Sequence, residues 1–338
     1  MQNNPRLVRR DGTLIPQVRA WLTAAIAAPS VYNTQPWQFR VSERHIDIYA
    51  DRSRQLNVVD PHGRELLISV GAALLNLRVA MLAAGRIPMM RLLPNGAGSD
   101  LAARVEPGPS VAVSETARLL AEAIPRRHSN RRPFEPIAVP TEVLADLVSA
   151  SAVEGADLVI ADPVLRDAVL GVVRAAEHHH RRDPDYWLEL ANWTINAPST
   201  EGVPPEAFGP WSALELVPLR DFGLVQPVTR RATVEYESEP TITMLYSRGD
   251  TPEQWLRTGL ALQRTLLTAS VRGLASTLMT QPMELAQMRQ LFTVSAAGLV
   301  AQAVLRFGYG PPSVPSPRRP LEAVLRTEFP DLQPTVAG

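Results

Sequence analysis

The chain has 338 residues, of which 45% are hydrophobic, and its 34 Lys and Arg residues balance its 34 Asp and Glu residues. A chain of this length and apolar content can bury a substantial core, and its neutral charge gives no general attraction to nucleic acid or to an anionic membrane. The absence of cysteine excludes disulfides, thiol catalysis and cysteine metal ligands. The first residues contain no apolar signal core, so we expect a cytoplasmic protein without nucleic-acid or membrane partners.

The N-terminal part of the chain predicts a helix, a hairpin and a second helix. Residues 16–28 are typical of a helix, and residues 38–51, QFRVSERHIDIYAD, predict two strands around a polar turn. The run SVGAALLNLRVAMLAAG, residues 69–85, is apolar on nearly every side, which is typical of a buried helix. Within it, ALLNLRVAMLAAG is interrupted by Asn76 and Arg78 and is too short to span a bilayer.

The C-terminal part predicts further helices and a short strand. Residues 141–150 predict a helix with Thr141 as its N-cap, ADLVIA predicts a strand, and residues 163–183 predict another helix. The helix predicted at residues 256–276 is similar to residues 69–85. Four positions of the earlier run recur 188 residues later, namely Gly71, Ala73, Leu74 and Gly85 as Gly259, Ala261, Leu262 and Gly273. This repeat predicts an internal duplication, with one central helix in each half.

A long irregular segment, residues 184–240, lies between these elements. It contains many prolines and three of the six tryptophans, Trp187, Trp193 and Trp211. Such a segment is usually a functional loop, a lid or disordered, and its aromatic content argues against plain disorder. With Phe208, these aromatics favour burial over a cleft. We therefore expect a lid, and the alternative is an ordinary excursion packed on the outside.

Two polar stretches carry residues suited to chemistry. PSVYNTQPW, residues 29–37, places amides, a hydroxyl and an aromatic in one loop. PRRHSNRRPFEP, residues 125–136, surrounds Ser129 and Asn130 with four arginines, and forked guanidinium donors around a hydroxyl suit a phosphate. The alternative is a solvated basic turn. The pair Arg318 and Arg319, taken alone, is typical of a surface turn.

Four separated stretches together resemble nitroreductase-family flavoproteins. RHSNR, residues 127–131, resembles the R-x-S-x-(R/K) signature, and residues 29–37 resemble the P-S-x-x-N-x-Q-P-W signature. TQPMEL, residues 280–285, resembles the segment that lies along the flavin, and the arginine pair at 318 and 319 resembles the C-terminal phosphate clamp. In ordinary members R-x-S-x-R comes first, and the site forms between two identical subunits.

The order of the signatures is reversed in this chain. The loop at residues 29–37 comes first, and SASAVEGADLVIA stands where a second such loop is expected after residue 131. Each half thus keeps what the other lacks. The sequence resembles the fused Acg-type branch of the family, which implies a monomeric pseudo-dimer with one intact site. We place the halves at residues 1–124 and 125–338.

The resemblance implies an α+β fold and bound flavin mononucleotide (FMN). Arg127, Ser129, Arg318 and Arg319 would hold its phosphate, and Arg131 would lie beside N1 and the C2 carbonyl of the ring. The full set of implied cofactor contacts is Pro29, Ser30, Val31, Asn33, Arg127, Ser129, Asn130, Arg131, Pro282, Met283, Glu284, Arg318 and Arg319. Glu284 or Leu285 would offer a backbone N–H to N5, although the family usually has glycine where Leu285 stands.

Other signals compete weakly with this interpretation. His178, His179 and His180 offer metal-binding side chains, but successive helical positions point in different directions, so a solvated helix end is the expected role. No G-x-G-x-x-G opens a helix, which argues against a dinucleotide site of the Rossmann type. Trp37 is expected to pack in the core rather than to stack on a ligand, and the backbone of Glu284 is expected to matter more than its carboxylate.

The resemblance implies an oxidoreductase that passes electrons from NAD(P)H through FMN to a nitroaromatic, quinone or similar small acceptor. The cofactor would carry the chemistry, so no acid–base side chain is required. Two alternatives remain open at this point. One is a protein that sequesters FMN with little turnover, and the other is a pseudoenzyme that has lost FMN.

Overall fold

A computed structural model describes residues 6–9, 12–194, 200–212, 214–225 and 231–326. The chain combines helices with two four-stranded antiparallel sheets and one short parallel pair of strands, so the predicted α+β class is confirmed. Parts of the segment 184–240 lie outside the described residues, namely 195–199, 213 and 226–230.

The first half of the chain forms one four-stranded sheet with three helices. The helices are α1 (Pro16–Ile26), α2 (Arg64–Ala83) and α3 (Glu115–Ala123). The strands are β1 (Trp37–Val41), β2 (Ile46–Ala50), β3 (Arg86–Leu92) and β4 (Leu101–Ser110), in the order β1-β2-β4-β3.

The second half forms another four-stranded sheet. Its helices are α4 (Thr141–Ala152), α5 (Pro163–His180), α6 (Pro184–Asn192), α7 (Pro252–Val271), α8 (Gln281–Glu284) and α9 (Ala286–Gln290). Its strands are β5 (Asp157–Ile160), β8 (Thr241–Arg248), β9 (Ala275–Leu278) and β10 (Leu299–Gly308), and the short pair β6 (Trp211–Ser212) and β7 (Thr233–Val234) lies apart.

The two sheets repeat one topology. The second sheet has the order β5-β8-β10-β9, and all its strand pairs are antiparallel, as in the first sheet. In each half the long helix follows the second strand of the sheet and precedes the third. This repetition is what the predicted duplication requires, while the boundary between residues 124 and 125 stays a prediction.

The two long helices, α2 and α7, pack against each other at the centre of the molecule. Both have 20 residues, and both their first and their last residues are 188 positions apart. A Cβ on Gly71 would lie 2.2 Å from the carbonyl oxygen of Leu256, and one on Gly259 would lie 2.1 Å from that of Ile68. The two contacts are equivalent under the same offset, and at this crossing only glycine leaves room for the backbone of the other helix.

Helix α2 is longer than the 13-residue apolar run considered in the sequence. The helix is long enough to span a membrane, and its most apolar stretch of 18 residues has a mean hydropathy of 2.0. However, 78% of that stretch is buried inside the protein. The prediction of a buried helix is thus confirmed. The helix begins after Gly63, where φ is +71°, and ends before Gly85, where φ is +70°.

The C-terminal segment crosses from the second half to the first. Leu325 forms a parallel bridge with Phe39 at the edge of β1, and the backbone N–H of Arg326 donates to the Phe39 carbonyl at 2.8 Å. This crossing places Arg318 and Arg319 beside the loop that follows α1. Trp37, at the start of β1, is fully buried, as the packing interpretation predicts.

Two local predictions need correction. Helix α4 begins at Thr141 itself, and the capping position is Pro140, which offers no side-chain hydrogen bond. Helix α7 begins at Pro252, four residues before the predicted start, because Thr251 accepts from the N–H of Gln254 and Pro252 fits the first helical position.

Candidate cofactor site

The loop after α1 adopts a backbone conformation that residues other than glycine seldom take. Three of its residues have positive φ, namely Tyr32 at +49°, Asn33 at +56° and Gln35 at +51°. Such angles are uncommon outside glycine, and clusters of them concentrate at functional sites. The hydroxyl of Ser30 helps to hold the loop, because it accepts from the N–H of Gln35 at 2.9 Å.

Side chains of this loop bind the second half of the chain. The Asn33 amide donates to the carbonyl oxygens of Gly202 at 2.9 Å and Pro317 at 3.0 Å. Its own oxygen accepts from Arg318 at 2.9 Å. Gln35 donates to the carbonyl of Thr200 at 2.9 Å. The loop is therefore fixed by two segments that are distant in sequence.

A polar cavity with about 380 Å³ of empty space opens beside this loop. Its described lining consists of Pro29, Ser30, Tyr32, Asn33, Arg127, His128, Ser129, Arg131, Val203, Ser316 and Arg318. Three of these residues are arginines and none is a carboxylate. Seven of the predicted cofactor residues thus lie together at one cavity.

Arg127 is buried with one side-chain hydrogen bond in the described structure, whereas Arg318 is half-buried and also donates to the Asn33 oxygen and to the carbonyls of Ser316 and Pro317. Arg127 is 2% exposed, and both Arg127 and Arg318 reach the Ala27 carbonyl, at 3.4 Å and 3.3 Å. The Nε atoms of both are buried without a hydrogen-bond partner in the described structure. Burial, and next the nearby charge of Arg318, lower the pKa of Arg127 to about 9. Burial lowers the pKa of Arg318 to about 10.

Neither guanidinium pairs with a carboxylate among the described residues, and a protein interior disfavours a charge without a counter-ion. A bound anion with several oxygen acceptors would satisfy the free N–H groups and neutralise the charge. Burial, followed by the charge of Arg127, also lowers the pKa of His128 to about 4, so this imidazole is neutral at pH 7. The polar cavity fits a phosphate group.

A second, more apolar cavity shares Pro29, Ser30, Tyr32, Ser129 and Arg131 with the polar cavity and has about 660 Å³ of empty space, counting its open mouth. One face of α2 forms a wall with Glu65, Ile68, Ser69 and Ala72, whose helical spacing brings them together. The remaining lining residues are Val31, Leu262, Leu278, Thr280, Gln302 and Ala303. Its walls therefore come from both halves.

Arg131 stands where the two cavities meet. Burial, and then the charge of Arg220, lower its pKa to about 10, so it remains a cation at neutral pH. It donates to the Ala207 carbonyl at 2.9 Å, and its guanidinium lies 4.5 Å from the centroid of the Phe222 ring. A cation at this position can stabilise negative charge on a flat ligand in the apolar cavity.

Two predicted residues lie beside the site without lining it. Asn130 is structural, since its amide donates to the Pro311 carbonyl at 2.7 Å and its oxygen accepts from the N–H of Arg132. Arg319 directs one guanidinium nitrogen to the Ala323 carbonyl at 2.7 Å, while its backbone N–H donates to Gln35. Of the arginine pair, the structure therefore brings Arg318 to the cavity and leaves Arg319 outside its lining.

Pro282, Met283 and Glu284 also do not line either cavity in the described structure. Met283 belongs to a core cluster that includes Met244 and Val304. Packing of Pro282 and Met283 on a flavin ring, and a backbone N–H from this segment, remain predictions. The neighbouring Thr280 does line the apolar cavity.

The carboxylate of Glu284 has a structural role that the sequence interpretation missed. It is fully buried, pairs with Arg220 and accepts from Thr280 at 2.8 Å. Its pKa is lowered to about 2 because Arg220 and His180 outweigh the cost of burial. His180, 3% exposed, lies 3.0 Å from it and stacks on Tyr186 at 4.7 Å. The expectation of a solvated histidine end is therefore wrong for His180.

The described parts of the segment 184–240 pack against the loop that follows α1. Tyr186, Leu190, Val203, Phe208 and Phe222 form a buried cluster with Tyr32, Leu56 and Val59. Arg220 donates to the hydroxyls of Tyr32 and Tyr186. Trp187 and Trp211 are instead 45% and 39% exposed, so these two tryptophans do not seal the cleft as expected.

Where a second loop is expected after α4, the chain has only the turn around Glu154. Its buried carboxylate binds Arg78 from α2 and Arg264 from α7. These hydrogen bonds and charges lower the pKa of Glu154 despite its burial. An internal ion triad thus occupies the position at which the sequence comparison predicts a second loop.

The chain is similar to two proteins of Mycobacterium tuberculosis over nearly its whole length. It is 33% identical to "Putative NAD(P)H nitroreductase Rv3131" over 323 residues, which are 93% of this chain and 92% of that protein. It is 30% identical to "Putative NAD(P)H nitroreductase acg" over 328 residues, 93% of this chain and 96% of that protein. The chain belongs to the nitroreductase-like family. A scan against models of protein families finds no match.

Solved structures of nitroreductases also resemble this nitroreductase-like chain at lower similarity. One is the FMN-dependent nitroreductase NfnB of Mycobacterium smegmatis in complex with NADPH, with a TM-score of 0.40 and 14% identity. The match covers 64% of this chain and 100% of that chain.

Several lining residues of this nitroreductase-like protein were missed in the sequence. Tyr32 lies within the PSVYNTQPW loop at a position its signature leaves open. Glu65 and Ser69 lie four residues apart at the start of α2. Their spacing was the signal in the sequence that one face of the helix is polar at this end. Val203 comes from the irregular segment and had no sequence signal.

Proposed function

We propose that the chain is an FMN-dependent oxidoreductase that takes electrons from NAD(P)H and passes them to a quinone, a nitroaromatic or a similar small acceptor. The observation that carries the proposal is the pair of guanidiniums of Arg127, which is buried, and Arg318, which is half-buried. Neither has a carboxylate partner among the described residues, and both line the polar cavity, which shares five lining residues with the apolar cavity. The names of the M. tuberculosis relatives favour NAD(P)H as the reductant.

The residues of the site have distinct roles in this proposal. Arg127, Arg318 and the hydroxyl of Ser129 would hold the phosphate dianion of FMN by charge-assisted hydrogen bonds. Ile68, Ala72 and Leu262 would exclude water from the ring. Bound FMN would supply hydride acceptance and electron transfer. Arg131 would favour the reduced, more negative form of the ring.

The test is the visible absorbance of the purified protein, followed by anaerobic addition of NADH or NADPH. We expect flavin bands that lose intensity after the reductant is added. A colourless protein that also fails to bind added FMN would contradict the cofactor assignment. Flavin bands that persist under both nucleotides would contradict the reductase assignment alone.

A second function, the sequestration of FMN with little turnover, is favoured by the segment 184–240. Backbone carbonyls of Thr200, Gly202 and Ala207 accept hydrogen bonds from Gln35, Asn33 and Arg131. The segment thereby bonds to residues of both cavities. A nicotinamide must reach near-contact with the flavin to reduce it, so a covering segment would slow that step.

Replacing residues 187–213 with a short Gly/Ser linker separates the two functions. If the segment restricts access, the shortened protein retains FMN and is reduced faster by NADH or NADPH. Circular dichroism and FMN content serve as controls for folding and cofactor retention. A folded, FMN-loaded variant that is reduced no faster than the parent would exclude a lid.

A further inference from the structure

The apolar cavity contains one carboxyl group, that of Glu65. This residue lies in the first turn of α2, on the same face as Ile68, Ser69 and Ala72. The other titratable residues of the described lining are Tyr32 and Arg131. A carboxyl at this place has no role in binding a phosphate, which lies at the other, arginine-rich cavity.

The Glu65 side chain is held at one oxygen and free at the other. Its Oε1 accepts from Arg64 at 2.7 Å, and Arg64 is fixed in turn by the carbonyl and side-chain oxygens of Gln302 at 2.9 Å and 3.0 Å. Its Oε2 is buried and has no hydrogen-bond partner among the described residues. Since Glu65 is 4% exposed, bulk water does not satisfy this atom. A buried oxygen of this kind calls for a proton or for a ligand donor.

Four charged groups surround Glu65. Arg64 and Arg220 favour its carboxylate, whereas Asp60 and Glu284 disfavour it. Burial is the largest influence and raises the pKa of Glu65 to about 8. Burial also raises the pKa of Tyr32 well above its usual value, and Arg131 stays protonated at neutral pH. Glu65 is therefore the lining group that exchanges a proton near neutral pH.

We propose that Glu65 is a catalytic residue that donates a proton to the oxygen of the acceptor reduced in the apolar cavity. The proposal rests on the proposed function and adds an acid to a site whose chemistry the sequence assigned to the cofactor alone. The Arg64 contact keeps Oε1 in place, which leaves Oε2 as the atom that carries the proton.

The step balances for a quinone. A hydride from reduced FMN brings two electrons and one proton, and Glu65 brings the second proton. The quinone becomes a hydroquinone, and Glu65 becomes a carboxylate that later regains a proton from solvent. A one-electron acceptor such as ferricyanide takes electrons without protons, so its reduction does not need Glu65.

The decisive experiment uses FMN-loaded protein that is photoreduced anaerobically and then mixed with menadione or ferricyanide in a stopped-flow instrument. This design requires no turnover with NAD(P)H. For Glu65→Gln we expect a loss of about a hundredfold or more in menadione reduction, the range for a removed general acid, with little change for ferricyanide. The wild-type menadione rate should fall as pH rises through about 8, because the acid form is the donor, and the Gln variant should lose this dependence.

Two variants provide matched comparisons. Glu65→Asp retains an acid and should recover part of the menadione rate. Glu253→Gln changes the equivalent position of α7, where the carboxylate is exposed and paired with Arg257, and should behave as wild type. Equal loss with both acceptors in Glu65→Gln would overturn the proposal. Loss of FMN from the Gln variant alone would overturn it too, by making Glu65 a cofactor-binding residue.

Infrared spectroscopy of the apoprotein gives a readout that needs no activity. We expect the carbonyl stretch of a protonated acid to titrate near pH 8 in wild type and in Glu253→Gln, and to be absent in Glu65→Gln. If no such band is present at neutral pH, Glu65 is not the proton donor. Failure of the protein to hold FMN at all would instead contradict the proposed function and leave this band unchanged.

Discussion

Arg127→Ala should weaken FMN binding strongly and leave riboflavin binding nearly unchanged. Arg127 is 2% exposed, and within the described residues its Nε has no hydrogen-bond partner and its one side-chain hydrogen bond is a long 3.4 Å bond to the Ala27 carbonyl. Almost all its hydrogen-bonding capacity is therefore available to a phosphate. Loss of a charge-assisted contact costs about 1.5–3 kcal/mol, which is roughly a ten- to hundredfold increase in Kd.

The assay is a titration of apoprotein with FMN and with riboflavin, followed by flavin fluorescence. Riboflavin lacks the phosphate, so the ratio of the two affinities isolates the phosphate contact. Arg126→Ala is the matched control, because Arg126 is the adjacent arginine of the same stretch, is exposed, and donates to the Glu122 carbonyl. Equal effects of Arg127→Ala on both flavins, or an equal effect of Arg126→Ala on FMN, would refute the assignment of the phosphate site.

Three further predictions concern the duplicated architecture. Gly71→Ala should destabilise the protein by about 1–3 kcal/mol in denaturant unfolding, since the new Cβ would meet the α7 backbone. Gly171→Ala, in the exposed part of α5, should instead stabilise the protein by about 0.4–1 kcal/mol. Equal effects of the two substitutions would argue against the close helix crossing. Extracted FMN should amount to about one molecule per chain, and a ratio near two would contradict the loss of the second site. Light scattering at micromolar concentration should give the mass of a monomer, and twice the chain mass would contradict an interface supplied entirely within the chain.

The sequence predicted the elements of the fold well because its periodic and turn signals are local. The helices α1 and α5 begin at or near the predicted residues, and the 188-residue offset between Gly71 and Gly259 reappears as a contact between equivalent positions of α2 and α7. The need for a small residue at a helix crossing arises from the packing of two helices, yet the glycine that meets it is visible in the sequence of each helix. The N-cap of α4 was misplaced by one residue because Thr and Pro both favour the start of a helix.

The site was predicted less completely, because a motif names residues without the direction of their side chains. Arg318 and Arg319 are adjacent in the same motif, but the first reaches Asn33 and the cavity while the second turns to Ala323. Glu284 was assigned a backbone role, yet its carboxylate neutralises Arg220, a residue of the irregular segment with no recognisable pattern. Long-range pairs of this kind depend on the folded packing and had no local signal.

The same limit explains why the sequence did not predict Glu65 as an acid in the apolar cavity. A glutamate in the first turn of a helix is ordinarily a favourable partner of the helix dipole, so Glu65 in the sequence had a sufficient explanation. Its counterpart Glu253 fits that explanation, since it is exposed and pairs with Arg257. Glu65 differs because the loop after α1 and residues of the second sheet line a cavity around it, whereas Glu253 is exposed. The 188-residue offset thus relates two carboxyls at equivalent helical positions, of which one is exposed and the other lies in a cavity, where burial is the largest influence on its pKa.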